Sequence, residues 1–248
     1  MLTTTPLAVS IAGLTGQPGT LSAPARLDWA AQLGPRAVAL DASLPGMRPR
    51  ELGESARRDL AAALKRRELD LAGIDLWIPA SHFASSENAD RAISAVGETL
   101  TLAADLVRQL GKSSRPIVSV HLPGSESVRE SLRAVADRVG ATLADHAWPP
   151  IEREFGFDPA AVLGAGGDPI DEAGARSAGI IAARLSDLSA GSRALPGEDG
   201  GRVDAGAYQA VLSLAKSIAH AVIDLRGVEQ PTARAKGLIE RWRSPATG

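Results

Sequence analysis

The chain has 248 residues, 44% of them hydrophobic and 23% charged, with a formal net charge of −2. A balance so near zero supplies neither a basic patch for nucleic acid nor a polybasic stretch for a membrane surface, so neither is expected as a partner. The absence of cysteine excludes disulfides, thiolate nucleophiles and Cys-ligated zinc, and fits a reducing cytoplasm, the expected location.

The opening MLTTTPLAVSIAGLTG has no Lys or Arg ahead of its apolar residues, unlike a secretory signal. No apolar run approaches the ~20 residues of a membrane-spanning helix. Leu7–Ala12 reads instead as a first strand. Further strands are expected at Ala37–Asp41, Leu71–Ile78, Ile117–His121, Thr142–His146, Phe155–Asp158, Ile180–Leu185 and Ala221–Leu225, the fifth and sixth having no strong β-branched run. Between them lie amphipathic helical patterns. Arg57–Arg67 spaces Leu60 and Leu64 one turn apart. Ala89–Leu110 puts Ile93, Val96, Leu100, Ala103 and Leu106 on one face. Ser125–Val139, Ala207–Ile218 and Thr232–Trp242 follow suit.

Strand and helix alternating through the chain imply a parallel sheet with helices outside. Eight such units in about 250 residues favour one (β/α)₈, or TIM, barrel spanning residues 1–248, with an open doubly wound sheet as the alternative. The Gly-rich GAGGDP at Gly164–Pro169 follows no strong strand, so a dinucleotide loop is a poor account of it. Asp168 as a helix cap with Pro169 in the first turn is a better one. The polar, Gly-rich Asp187–Asp204 follows the seventh strand and reads as a long loop over the barrel mouth.

In such a barrel the chemistry lies at the carboxyl ends of the strands. The polar residues expected there are Asp41, Asp75, His82, His121, Asp145, His146, Asp158, Arg184, Asp187, Asp224 and Arg226, including three of the four histidines. His220 precedes strand eight and belongs to the opposite face. Side-chain alternation points Asp41 inward and favours His146 over Asp145 as the inward residue of strand five. Bland roles compete at each position. His121 has an equal claim as a hydrogen-bond partner of a loop and Asp41 as a loop cap; Asp158 before Pro159 can start a turn, but its place at a strand end favours function. Arg184 in the apolar run IIAARL must reach the mouth or find a carboxylate. It is either a strut paired to Asp158 or Asp224, or an anion site. Asp224 and Arg226, two apart, reach one ligand or pair with each other. Trp77 is a candidate pocket wall, with apolar packing as the plainer role.

Three segments resemble the xylose-isomerase-like, or sugar-phosphate isomerase/epimerase, barrels. LDWAAQLGPRAVALDAS resembles their first helix and second strand. GFDPAAVLGAGGDP resembles their sixth-strand element, and IIAARLSDLSAGSRALPGEDGGRVDAGAY their seventh strand and following loop. The resemblance implies a divalent metal (Mn, Mg or Zn) at the mouth, held by Glu, Asp, His and Glu from strands five to eight. Asp158 matches the Asp. His146 or Asp145 stands in place of the first Glu, Arg184 in place of the His, and Asp224 in place of the last Glu, while Ala161 replaces a further His. An Arg at a ligand position removes an imidazole donor and brings a permanent positive charge. Asp158, Asp224 and His146 remain as a metal set suited to Mn²⁺ or Zn²⁺, with no metal as the competing expectation.

The function so implied is carbohydrate chemistry, the isomerisation or epimerisation of a small sugar or sugar phosphate by proton transfer next to a carbonyl. The base candidates are His121, His146, Asp158 and Asp224. Asp41, Trp77, His82, Arg184 and Arg226 are the substrate-binding candidates. The alternative is an inactive barrel retained as a small-molecule binding or scaffolding module, since a fold does not guarantee an activity. A multi-metal DNA-repair endonuclease on the same fold is disfavoured by four histidines and the charge of −2.

Overall fold

Alternation along the expected strands decides what each buries: small and polar residues on one face, branched residues on the other. The computed structural model describes residues 5–14, 21–85 and 87–243. In chain order the elements are β1 (Leu7–Ser10), α1 (Ala23–Leu33), β2 (Ala37–Asp41), α2 (Glu54–Arg66), β3 (Asp70–Leu76), α3 (Ala80–Ala84), α4 (Ala89–Leu110), β4 (Ile117–Val120), α5 (Glu126–Val139), β5 (Thr142–Asp145), β6 (Phe155–Phe157), α6 (Pro159–Gly164), α7 (Pro169–Arg176), β7 (Ile180–Leu185), β8 (Asp187–Ser189), β9 (Ser192–Ala194), α8 (Ala205–Leu212), β10 (Ala221–Ile223) and α9 (Pro231–Arg243). Eight parallel strands in the order β5-β4-β3-β2-β1-β10-β7-β6 make a nearly closed (β/α)₈ barrel. No helix among the described residues is long and apolar enough to cross a membrane.

The eight barrel strands fall where the sequence pattern puts them, most ending one or two residues early. The core has two layers. Val9, Val38, Leu40, Ile74, Val118 and Ile223 face outward into the shell of helices. Inside, Ala8, Ala37, Ala39 and Val222 form a floor of small side chains. Small residues suit a narrow lumen that must be filled without strain. Above this floor the inward positions become polar: Ser10, Asp75, Ser119, Arg184 and Asp224 are all buried.

Two features depart from the sequence reading. The stretch expected as a loop from Asp187 to Asp204 begins as the antiparallel hairpin β8–β9, turning at Ala190 and Gly191, both at positive φ. The helix expected at Ala207–Ile218 starts at Ala205 and stops at Leu212, leaving Leu214 exposed rather than on a packed stripe. Asp168 does cap α7, accepting from the backbone of Ile170 and Asp171.

Candidate active site

Register brings the polar side chains together. Asp75 on β3 lies level with Asp41 on β2 and Ser119 on β4, while Arg184 on β7 lies level with Val222 on β10. Arg184 reaches across the lumen to Asp75. Its Nη1 donates to Asp75 Oδ2 at 3.1 Å and its Nη2 to Oδ1. Ser10 Oγ donates to the same carboxylate at 2.5 Å. The Arg184 carbonyl accepts from Tyr208 OH at 3.1 Å. The sequence offered Asp158 and Asp224 as partners for Arg184; the structure corrects this to Asp75, because a guanidinium on an inward position spans the lumen instead of reaching a neighbouring strand end. Buried in this way, Arg184 spends both terminal nitrogens on Asp75 and acts as a strut, with its Nε alone left without a partner among the described residues.

A second network sits above it. Asp158 directly follows β6 and Asp224 directly follows β10, and neither side chain is exposed. Arg193 from the β8–β9 hairpin donates to Asp158 at 2.6 Å and to Asp224 at 3.1 Å. Arg226 donates to Asp224 at 2.5 Å and to Asp158 at 3.2 Å. Asp158 also accepts from Ser186 Oγ at 2.5 Å and caps α6 through Ala160 N at 3.1 Å. Burial works to raise both carboxyls. Arg193 and Arg226 overcome it, so Asp158 and Asp224 lie below the usual carboxylate range. Arg226 can approach because Gly13, at φ +90, lets the end of β1 press on the backbone behind it: a Cβ there would lie 2.4 Å from the Leu225 carbonyl oxygen.

Aromatic rings line the third side. The Arg226 guanidinium lies 3.6 Å over the Trp77 ring, and the edges of His121 and His146 meet Trp77 at centroid distances of 5.0 and 5.4 Å. His146 is sealed. Its Nε2 bonds Ser119 Oγ at 3.1 Å, and the backbone of Gly156 is so close that a Cβ there would lie 2.3 Å from that nitrogen. Burial first, then Arg184, lowers its pKa well below the ordinary value. His121 is only half-buried. Burial, then Arg226, lowers its pKa as well. Its Nε2 has no partner among the described residues, and neither do Trp77 Nε1 and His146 Nδ1.

The remaining candidates lie apart. Asp41 is buried and caps its own loop, accepting from Ser43 N at 2.8 Å and Ser43 Oγ at 2.6 Å. Burial raises its pKa, and nearby Asp75 adds to that. Asp145 points outward to Arg129 at 2.7 Å. His82 is exposed on the short helix α3 and takes no part in the hydrogen bonds of the cluster. His220 lies at the amino end of the barrel, lining a cavity with Pro6, Arg36 and Asp70. Arg193 was absent from the sequence candidates, along with the supporting Ser10, Ser119 and Ser186.

The expected metal does not fit these residues. Asp158 and Asp224 share their oxygens between two guanidinium groups, and His146 spends Nε2 on Ser119 and forms no hydrogen bond to either carboxylate. No group of three His, Asp or Glu side chains able to hold an ion occurs among the described residues. The donor set of Asp158, Asp224 and His146 is therefore corrected to an ion-paired carboxylate couple beside a sealed imidazole.

No family model matches the chain, and no curated protein matches it by sequence. Solved structures do match. The probable 3-DHS dehydratase AsbF involved in petrobactin synthesis from Bacillus anthracis is 10% identical, with a TM-score of 0.67 over 96% of this chain and 98% of its own. A D-psicose 3-epimerase, in the presence of D-fructose, is 13% identical, with a TM-score of 0.60 over 96% and 98%. At such identities the likeness establishes the fold alone.

Proposed function

We propose that this chain is an isomerase- or epimerase-type barrel acting on a small sugar or sugar derivative, moving a proton next to a carbonyl with guanidinium groups in place of a divalent ion. Such a reaction needs a base that is unprotonated near neutral pH and a cation facing the developing enolate oxygen. The observation that carries the reading is His121. The residue is half-buried at the mouth, its inward-turned, buried Nε2 is without a partner among the described residues, and burial, then Arg226, lowers its pKa, which favours the neutral ring. Asp158 and Asp224 are spoken for by arginines, and His146, though its Nδ1 is also without a partner among the described residues, is 1% exposed and closed in by Gly156, out of a substrate's reach. Arg193 and Arg226 keep side-chain exposures of 21% and 18%, so each offers an outer edge to a ligand oxygen while its inner edge holds the aspartates. Trp77 backs the site. The epimerase and the dehydratase of similar fold lend general support to chemistry on small oxygenated substrates.

The test is proton exchange. The protein, treated with EDTA, is incubated in D₂O with a panel of aldoses, ketoses and their phosphates, and deuterium at the carbon beside the carbonyl is followed by NMR. Exchange that persists in EDTA and falls about 10²-fold or more in His121→Gln is the expected result. Exchange that needs added Mn²⁺, or that ignores His121→Gln, sinks the mechanism.

A second reading is a binding-only barrel. It is favoured by the saturation of both mouth carboxylates, which leaves no free carboxylate to move a proton. A sugar that raises the melting temperature without any exchange of its protons would select it.

A further inference from the structure

One strand connection differs from the rest. Every other strand-to-strand crossover of the barrel carries a helix, but β5 passes to β6 through residues 146–154 with none. These two strands are also the two ends of the eight-stranded sheet, and they do not pair with each other. The seam is filled on its inner side by the His146 ring against Gly156. On its outer side the only cover among the described residues is the connection itself, whose Trp148 packs edge-on against Phe155 and Phe157 of β6 and whose Glu152 pairs with Arg129 and Arg133 of α5. A cavity of about 440 Å³ lies there, floored by Leu143, Ala178 and Ile181 and edged by α5. A second cavity of about 260 Å³ adjoins it and shares Glu152, Arg153 and Ala178.

The connection that borders this slot projects an apolar knob. Ile151 is 58% exposed and, with Leu214, is one of two large hydrophobic side chains so exposed among the described residues. Beside it Arg153 and Glu154 are exposed, and neither forms an ion pair among the described residues. The other charges on the rim are paired within the chain, Arg115 with Asp137 at 2.9 Å and Arg133 with Glu152.

We propose that this patch is the interface of a two-fold homodimer, in which Ile151 of each copy enters the seam slot of the other. An isologous interface must carry both halves of every contact on one surface. This patch does: a knob beside a slot, and an unpaired cation beside an unpaired anion. A two-fold axis sets Arg153 of one copy against Glu154 of the other, and the partner's chain fills the cavity that the short, helix-free connection leaves open beside α5.

The experiment is sedimentation velocity on the full chain at micromolar concentration, with far-UV circular dichroism on each variant to show that the fold is kept. The wild type is expected to be a dimer. Ile151→Asp and Arg153→Glu should each raise the dimer dissociation constant, the former about 100-fold as for a central interface side chain. Combining Arg153→Glu with Glu154→Arg should restore association, because the pair is swapped and not removed. A wild type that stays monomeric at tens of micromolar overturns the proposal, and so does a dimer indifferent to both single substitutions.

Discussion

Two sets of ion pairs share the lumen of this barrel and are built on opposite terms. Arg184 and Asp75 are one on one, with side-chain exposures of 2% and 1%. Arg193 and Arg226 are two on two with Asp158 and Asp224; the acids are sealed and the bases partly open. The lower pair has no hydrogen-bonded substitute: each charge bonds a single opposite charge, with Ser10 on the carboxylate and the Trp77 ring 5.1 Å from the guanidinium. The upper set is redundant, since each carboxylate keeps a guanidinium if one arginine leaves. The lower set should therefore carry stability, and the upper set is free to carry function.

The largest expected effect breaks the lower pair. Arg184→Met strands the Asp75 carboxylate in a dry lumen and should cost about 3–5 kcal/mol, the usual penalty for removing one partner of a buried pair. The shift in urea midpoint measures it. Adding Asp75→Leu should return most of the loss, because a buried pair exchanged for apolar side chains is often neutral. A single variant as stable as the wild type would show that the strut holds nothing.

The next effect separates the histidines from the carboxylates by pH. His146, His121 and His220 all have lowered pKa values, burial being the largest cause in each. In the unfolded chain they take up protons near pH 6.5, and in the native barrel they resist. Below that pH the unfolded state binds more protons, so stability falls as pH falls, by up to about 1.4 kcal/mol per pH unit for each histidine. Asp158 and Asp224 act lower down. Their native pKa values are depressed, so their contribution is full above about 3.9 and is lost only as pH drops through the native values. Urea unfolding between pH 7 and 5 therefore reads the histidines, against the opposite slope of Asp41, whose pKa burial raises. His146→Gln, which can still reach Ser119, should flatten that slope, and an unchanged slope would mean that the seam admits protons to the ring.

The contrast between the two sets also explains what the sequence could disclose. The barrel was legible because period-two strands and period-3.6 helices alternate through the chain, alternation put His146 on an inward position, and a charge in the apolar run IIAARL marked Arg184 as needing a carboxylate or the mouth. The short β5 and β6 were the least distinct strands, and they are the two ends of the sheet, where packing makes the weakest demand for β-branched residues. The partner of Arg184 was not legible. Asp75 lies 109 positions away, and which carboxylate a guanidinium meets across a lumen depends on strand tilt and stagger, which local spacing does not encode. Arg193 was hidden for another reason. It sits in a Gly- and Ser-rich stretch that reads as loop, and the Ala190–Gly191 turn that folds it back over the mouth is a weaker signal than Asn-Gly.

The smallest effect on stability should come from Arg193→Ala, and it decides whether the two sets differ in kind. With Arg193 gone, Arg226 still donates to both Asp158 and Asp224, so neither carboxylate is stranded and the loss should be about 1 kcal/mol, several times less than for Arg184→Met. Turnover should respond in the opposite order. If Arg193 offers its outer edge to a developing oxyanion, its removal should slow proton exchange about 10²-fold, the usual cost of one such donor. Both quantities are read on the same preparation, by urea unfolding and by deuterium exchange. A variant as unstable as Arg184→Met would make the upper set a second strut and would favour a barrel that only binds. A variant that is stable but slow would show that the hairpin brings its arginine over the mouth for chemistry, with the buried aspartates serving to aim it.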